Sequence, residues 1–321
     1  MEEGEELVSW VGPDGRVMRR LELHLTYTCP QACVFCSEDH RMQRFRKFPV
    51  TWGRVAATLR EHAAHGVDHL HLTGGEPTIH TRLLDVLALA RKLGMRTSIG
   101  TIGARLARED FAALAFPLLD TALFSLHGPT AELHDRLTSK AGSFERQLRA
   151  MELAERHPTL RCANTVVCKD NIERLPETVD FLDRAGVSLI VVSNTTPEGA
   201  ALDRYEELAV TLEVLAEVLP KVRTERATLR FFGVPMCVLS EDQRMLSNDL
   251  HWDPRVTVEW TAEPDKVVYT GQFNWTPARK RSHVEECAQC SLRGVCMGVY
   301  THYAELWPTT ALCARPAIVA E

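Results

Sequence analysis

Short apolar runs alternate with longer amphipathic stretches through most of the chain. The apolar runs are Leu21–Tyr27, Val67–Thr73, Met95–Thr101, Thr121–Leu126, Arg161–Cys168 and Val187–Ser193. Each has the length and composition of a strand. Between them, apolar residues recur at helical spacing over 51–65, 80–93, 108–116, 143–156, 172–185 and 202–218. Gly66, Gly94, Gly186 and Pro220 punctuate the junctions. Strands and helices in strict alternation predict a parallel sheet with right-handed crossovers. Six units are too few to close an eight-stranded barrel. The expected fold is therefore α/β, a partial (β/α)6 TIM-like barrel, with its chemistry at the C-terminal ends of the strands.

The rhythm changes after about residue 230, where helical periodicity fades and aromatic residues and cysteines gather. Three segments are expected: a hairpin over 1–20 turning at Gly12-Pro13-Asp14-Gly15, a barrel over 21–230, and a small irregular extension over 231–321. No internal repeat or low-complexity segment is evident.

Composition narrows the function. A net charge of −6 gives no reason to expect binding to nucleic acid or an anionic membrane. The start, MEEGEELVSW, lacks the form of a signal peptide. No apolar run approaches the ~18–20 residues of a membrane span. A cytoplasmic protein is expected, and its ten cysteines then point to metal or redox chemistry rather than disulfides.

Cys29, Cys33 and Cys36 stand as C-x3-C-x2-C directly after the first strand. Pro30 and the small Ala32 suit a tight loop that brings three sulfurs to one cluster. Cubane clusters held by cysteine take four ligands, so three thiolates leave one iron open. The alternative is zinc, but a structural zinc site takes four protein ligands. No fourth Cys or His stands at zinc spacing, His40 being the nearest candidate. Thr73-Gly74-Gly75-Glu76-Pro77 follows the second strand. Its glycines would let backbone approach a ligand closely, and its carboxylate could receive an ammonium group.

The triad followed by GGEP resembles the radical S-adenosylmethionine (SAM) superfamily, over about residues 20–200. The resemblance implies a [4Fe–4S] cluster on Cys29, Cys33 and Cys36, whose open iron binds the amino and carboxylate groups of SAM. Electron transfer to SAM would give methionine and a 5′-deoxyadenosyl radical that takes a hydrogen atom from substrate. It also implies SAM contacts from Phe35, Gly74, Gly75, Glu76, Pro77, Ser125, Asn164, Ser193 and Asn194. Many relatives place an Arg after strand four to grip the SAM carboxylate. In HDRLTSKAGSF the aligned residue is Thr138, with Arg136 and Lys140 nearby.

Cys287, Cys290 and Cys296 form C-x2-C-x5-C, which resembles the SPASM and Twitch extensions that hold auxiliary clusters. The full SPASM pattern would continue with a cysteine at position 300, which is Tyr300. One auxiliary [4Fe–4S] cluster is therefore expected, with Cys237 or Cys313 as fourth ligand. A zinc ribbon is the alternative for this region. Cys162 and Cys168, in an apolar strand, read as core thiols.

The substrate is expected to be a peptide or natural-product intermediate undergoing oxidation, cross-linking or cyclisation. The alternatives are a small molecule of cofactor, sugar or nucleotide biosynthesis, and a non-catalytic zinc protein. An electron donor such as flavodoxin or ferredoxin would serve the cluster. No catalytic residue is assigned, although Tyr27, His40, Arg41, Arg44, His71 and His127 are candidates for substrate contact.

Overall fold

The computed structural model describes residues 10–47, 50–263 and 266–309. Nine strands form one sheet: β1 (Arg20–Thr26), β2 (His69–Gly74), β3 (Arg96–Thr101), β4 (Thr121–Ser125), β5 (Leu160–Val167), β6 (Leu189–Asn194), β7 (Thr228–Phe232), β8 (Arg255–Glu263) and β9 (Lys266–Asn274). Their order is β7-β6-β5-β4-β3-β2-β1-β8-β9. β1 to β7 are parallel neighbours in chain order, β8 lies parallel to β1, and β9 returns antiparallel along β8.

Alternation along β1 shows why the sheet curls around a lumen. Leu21, Leu23 and Leu25 are fully buried among the helices. The intervening Arg20 and Glu22 line the lumen. Burying each leucine stabilises the fold by about 2 kcal/mol. Leaving such a charge buried and unpaired costs about 3–5 kcal/mol, and both Arg20 and Glu22 have partners. Arg255 reaches Glu22 at 3.0 Å and Arg20 reaches Asp253 at 3.3 Å.

Helices α1 (Asp39–Phe45), α2 (Trp52–Ala64), α3 (Leu83–Lys92), α4 (Glu109–Ala115), α5 (Ala131–Thr138), α6 (Ser143–Glu155) and α7 (Leu175–Arg184) cover the outside. The six expected strands and five of the expected helices are present with ends shifted by a few residues. The sixth helical stretch, 202–218, is broken into Ala200–Asp203, Tyr205–Leu208 and Leu212–Val218. The break is fixed by two backbone contacts: the Leu208 carbonyl accepts from Lys169 N–H at 2.9 Å, and Leu212 N–H donates to the Tyr303 hydroxyl at 3.0 Å.

The parallel series is longer than the six units expected, since β7 continues it and β8 extends it beyond β1. The expected boundary at 230/231 falls inside β7, and the β8–β9 hairpin belongs to the barrel sheet. Among the described residues, the irregular part that follows holds a two-residue ladder, β10 (Arg281–Ser282) with β11 (Val299–Tyr300), a 3-10 turn at Glu285–Cys287 and the helix α8 (Thr301–Leu306). Of the N-terminal hairpin, residues 1–9 lie outside the described residues. Its turn is present, with Val11 bridged antiparallel to Val17 and Gly15 at φ +78°. Among the described residues no helix is long and apolar enough to cross a membrane.

Candidate functional site

The cysteine loop leaves β1 and is pinned from two sides. Ala32 and Val34 donate to the carbonyls of Thr138 and Leu137 at the end of α5, at 3.2 and 3.0 Å. On the other side the Cys36 carbonyl accepts from Ala200 N–H at 2.9 Å. A Cβ on Gly199 would stand 2.3 Å from that carbonyl oxygen, so only glycine fits there. Burial pushes the Cys29 thiol up to about 11 and the Cys36 thiol to about 12, and Cys33 higher still. Cys33 is raised further by Cys36 and Cys29, which places the three sulfurs in one neighbourhood. Such thiols lose their protons when a metal coordinates them. The donor set thus fits a cluster.

GGEP packs onto the root of this loop. Gly75 N–H donates to the Thr26 carbonyl at 2.7 Å, and Glu76 N–H to the Thr28 carbonyl at 2.8 Å. Cβ atoms on Gly74 and Gly75 would lie 2.4 and 2.3 Å from those same oxygens. The glycines therefore admit the protein's own backbone; closeness to a ligand is not what requires them. The Glu76 carboxylate, expected to receive an ammonium group, is committed to the fold. It is fully buried and accepts from Thr101 Oγ1 at 2.7 Å, Ile102 N–H at 2.9 Å, and both the N–H and hydroxyl of Thr78. Burial raises its pKa against these donors. Pro77 begins a single 3-10 turn, Pro77–Ile79, and is buried.

Ser125 and Asn164 are paired in register across β4 and β5, and Ser193 Oγ donates to Asn164 Oδ1 at 2.6 Å. These three form a polar row across the C-terminal halves of the strands. Asn194 is elsewhere, buried and bonded through Nδ2 to the Gly233 carbonyl at 3.2 Å. Phe35 meets the His127 ring edge-on at 4.7 Å and packs with Leu133, Leu137 and Leu208. His127 is structural, its Nδ1 accepting from Val166 N–H at 3.1 Å while burial keeps it neutral.

None of the three residues considered for the SAM carboxylate stands ready for it. The Thr138 hydroxyl is buried between the His134 carbonyl and Ser143 Oγ, at 2.9 and 2.7 Å. Arg136 is exposed and 3.9 Å from Asp170, and Lys140 is exposed. Sequence reasoning missed Arg146, on α6 after β4. Its Nε and Nη2 are buried without a hydrogen-bond partner, and its charge acts on Cys29. The signal was a cation on the half-buried face of α6, between Ser143 and Ala150.

Cys237, Cys287, Cys290 and Cys296 line one pocket, with His283 and Pro235 beside them. Burial, with a smaller contribution from the other three thiols, raises the Cys237 thiol to about 12. Cys296 Sγ accepts from the N–H groups of Met236 and Gly298, both at 3.4 Å. The structure thus brings Cys237 to the C-terminal cysteines, while Cys313 lies outside the described residues. Among the described residues no three His, Cys, Asp or Glu side chains converge closely enough to hold one metal ion. Cys168 is buried in the small core under Phe35, and Cys162 faces the lumen.

The remaining candidates have structural partners. His71 bonds Ser98 Oγ at 2.8 Å, His40 bonds Asp203 at 2.8 Å, and Arg41 bonds Glu259 at 3.0 Å. Arg44 lies over the Phe45 ring at 5.1 Å, and Tyr27 is buried beside Phe45.

Residues 23–182 match the sequence profile of the Radical SAM superfamily. The chain is 29% identical over 210 residues to the PqqA peptide cyclase of Rhodopseudomonas palustris, covering 65% of this chain and 55% of that protein. It is 30% identical over 221 residues to the PqqA peptide cyclase of Ruegeria pomeroyi, covering 66% and 57%. The chain thus spans just over half the length of these curated relatives. Among solved structures, anSMEcpe with bound AdoMet aligns at a TM-score of 0.64 and 13% identity, over 92% of this chain and 93% of that one. Streptococcus suis SuiB bound to S-adenosylmethionine aligns at 0.60 and 17%, over 94% and 76%. These likenesses agree with the fold, and the profile match falls on the barrel that carries the cysteine loop. Residues 23–182 thus form a domain of the radical SAM superfamily, whose members carry a [4Fe–4S] cluster and SAM.

Proposed function

We propose that this protein is a radical SAM maturase that modifies a peptide, with SAM held between the cysteine loop and the polar row of β4–β6. The observation that carries the reading is the half-buried Arg146, whose Nε and Nη2 are buried and unpartnered and whose charge acts on Cys29. A guanidinium so placed is complementary to a carboxylate, and the SAM methionine bears one. Cys29, Cys33 and Cys36 would hold the cluster. Ser125, Asn164 and Ser193 would meet the ribose or carboxylate edge, and Phe35 would pack by the adenine. With the Glu76 carboxylate committed to the fold, the amino group would be met by backbone oxygens of residues 74–76. Cluster and SAM together would supply reductive cleavage to a 5′-deoxyadenosyl radical, and the protein's part is to orient and shield.

Cys237, Cys287, Cys290 and Cys296 would hold one auxiliary [4Fe–4S] cluster in a SPASM- or Twitch-like extension. The four thiols line one pocket, which supplies the four ligands that a cysteine-held cubane takes. The sequence relatives named PqqA peptide cyclase support a peptide substrate. A flavodoxin or ferredoxin would supply electrons. Anaerobic reconstitution with SAM and dithionite tests the reading. The protein should form 5′-deoxyadenosine, and a variant with Cys29, Cys33 and Cys36 all replaced by Ala should form none. Equal formation by both would refute it.

A further inference from the structure

A cavity of about 660 Å³ fills the lumen and reaches Asn164 of the polar row. That is the size of a small-ligand site, and it is strongly charged. At neutral pH its charges do not balance. Burial opposes ionisation of Glu22, but Arg255 and its neighbours outweigh this and hold its pKa at about 2. Burial and Arg20 lower His69 to about 4, and His71 is lowered well below its usual range. Both imidazoles are neutral and bonded to Ser98 Oγ at 2.8 Å. Arg255 pairs with Glu22 and Arg20 with Asp253. Arg230, on β7, is left over.

Among the described residues no carboxylate lies within ion-pair range of Arg230. Its Nη1 donates to the neighbouring Leu229 carbonyl at 2.9 Å, and its remaining donors meet no protein acceptor. Burial acts on it without any offsetting acid. Its position in the sheet is informative. Asn164 pairs in register with Val191, and Val191 with Arg230. Arg230 therefore sits in the same layer as the Ser125–Asn164 row, two strands away, or roughly 10 Å. Phe232 and Trp252, stacked at 6.4 Å, give the cavity an apolar wall beside it.

We propose that Arg230 receives a carboxylate of the substrate inside the lumen, anchoring the reacting residue beside the SAM row. The inference rests on the proposed function for what lies at that row. The carboxylate could be a side chain or a peptide C-terminus, and the two are separable by probe.

The test is isothermal titration of the anaerobically reconstituted protein, with SAM saturating. The probes are N-acetylglutamate α-methylamide, N-acetylalanine and the neutral N-acetylglutamine α-methylamide. A charged probe should bind at least about tenfold more tightly than the neutral one, as a charge-assisted hydrogen bond supplies. The one that does identifies the source. Arg230→Met should abolish the preference and Arg230→Lys should reduce it. Equal binding of charged and neutral probes overturns the proposal, as does absence of binding by all three. A preference that survives in both variants also overturns it. If Arg230→Met fails to fold, Arg230→Lys decides alone. Formation of 5′-deoxyadenosine by the unaltered protein is a separate readout. Its failure would sink the radical SAM reading while leaving the carboxylate preference measurable.

Discussion

Arg281 and Asp249 form a bidentate ion pair at 2.6 and 3.0 Å, with both side chains 1% exposed. The pair organises the loop that carries Cys296. Arg281 also donates to the Gly298 carbonyl at 2.8 Å, and Asp249 accepts from Met297 N–H at 2.9 Å. Removing one partner leaves the other charge buried and alone. Arg281→Met is expected to destabilise the protein by about 3–5 kcal/mol. It should also halve iron retention if the C-terminal cysteines hold a cluster. Urea unfolding under anaerobic conditions checks the first, and iron analysis the second. A shift below 1 kcal/mol would refute the anchoring role.

Arg146 makes a prediction about SAM. Losing a charge-assisted pair to the SAM carboxylate should weaken binding by about 30- to 100-fold. Arg146→Met should show this loss in SAM titration while keeping its full iron content. Arg146→Lys, with a point charge in place of a planar fork, should recover part of the affinity. Unchanged affinity in the Met variant would leave the buried guanidinium without its proposed partner.

Metal content separates the two cysteine sets. Full reconstitution should give about eight irons, as expected for two four-iron clusters. Cys237→Ala should lower the count towards about four while leaving SAM cleavage measurable. Replacing Cys29, Cys33 and Cys36 should also leave about four irons but stop cleavage. A zinc content near one with no iron in the C-terminal set would overturn the auxiliary cluster.

Asp183 carries a pH dependence. At the end of α7 it accepts backbone N–H groups from Glu225, Arg226 and Ala227, at 2.7, 3.2 and 2.6 Å. Burial works to raise its pKa, but these donors outweigh it and hold it below the usual 3.8. A depressed carboxylate stabilises the fold above its unfolded pKa, and that contribution is lost as pH falls through the folded value. Asp183→Ala should cost about 2 kcal/mol at pH 7. The gap to the unaltered protein should narrow below pH 4. Denaturation midpoints across pH 3–7 check this, and a gap constant with pH would show that the carboxylate's charge does not matter.

The barrel was legible because β1 to β6 are bounded by Gly or helical stretches and their apolar runs are dense. β7 was not, because Thr228–Phe232 alternates apolar residues with Thr and Arg where the rhythm breaks down. Its polar positions face the lumen, so a half-polar strand looked like the end of a domain. α5 was missed because Ala131–Thr138 is short and half polar. At the site, the triad and GGEP were legible as motifs, but the work done by Glu76 was not. Two of its four donors, from Thr101 and Ile102, reach it only once β2 and β3 are neighbours. Arg146 was hidden for a related reason: an unsatisfied guanidinium is a property of its surroundings, and the family resemblance led only to Thr138, Arg136 and Lys140.

The pairing of β1 with β8 has a consequence for assembly. Arg255 meets Glu22 across 233 positions of chain. Until that distant strand arrives, β1 presents an unpaired edge directly before the cysteine loop, and exposed edges invite wrong partners. Long-range closure of this kind is slow. The nascent barrel therefore has an interval in which its cysteine loop is formed on one side only. Chaperone protection or delayed iron delivery during that interval would favour the correct product.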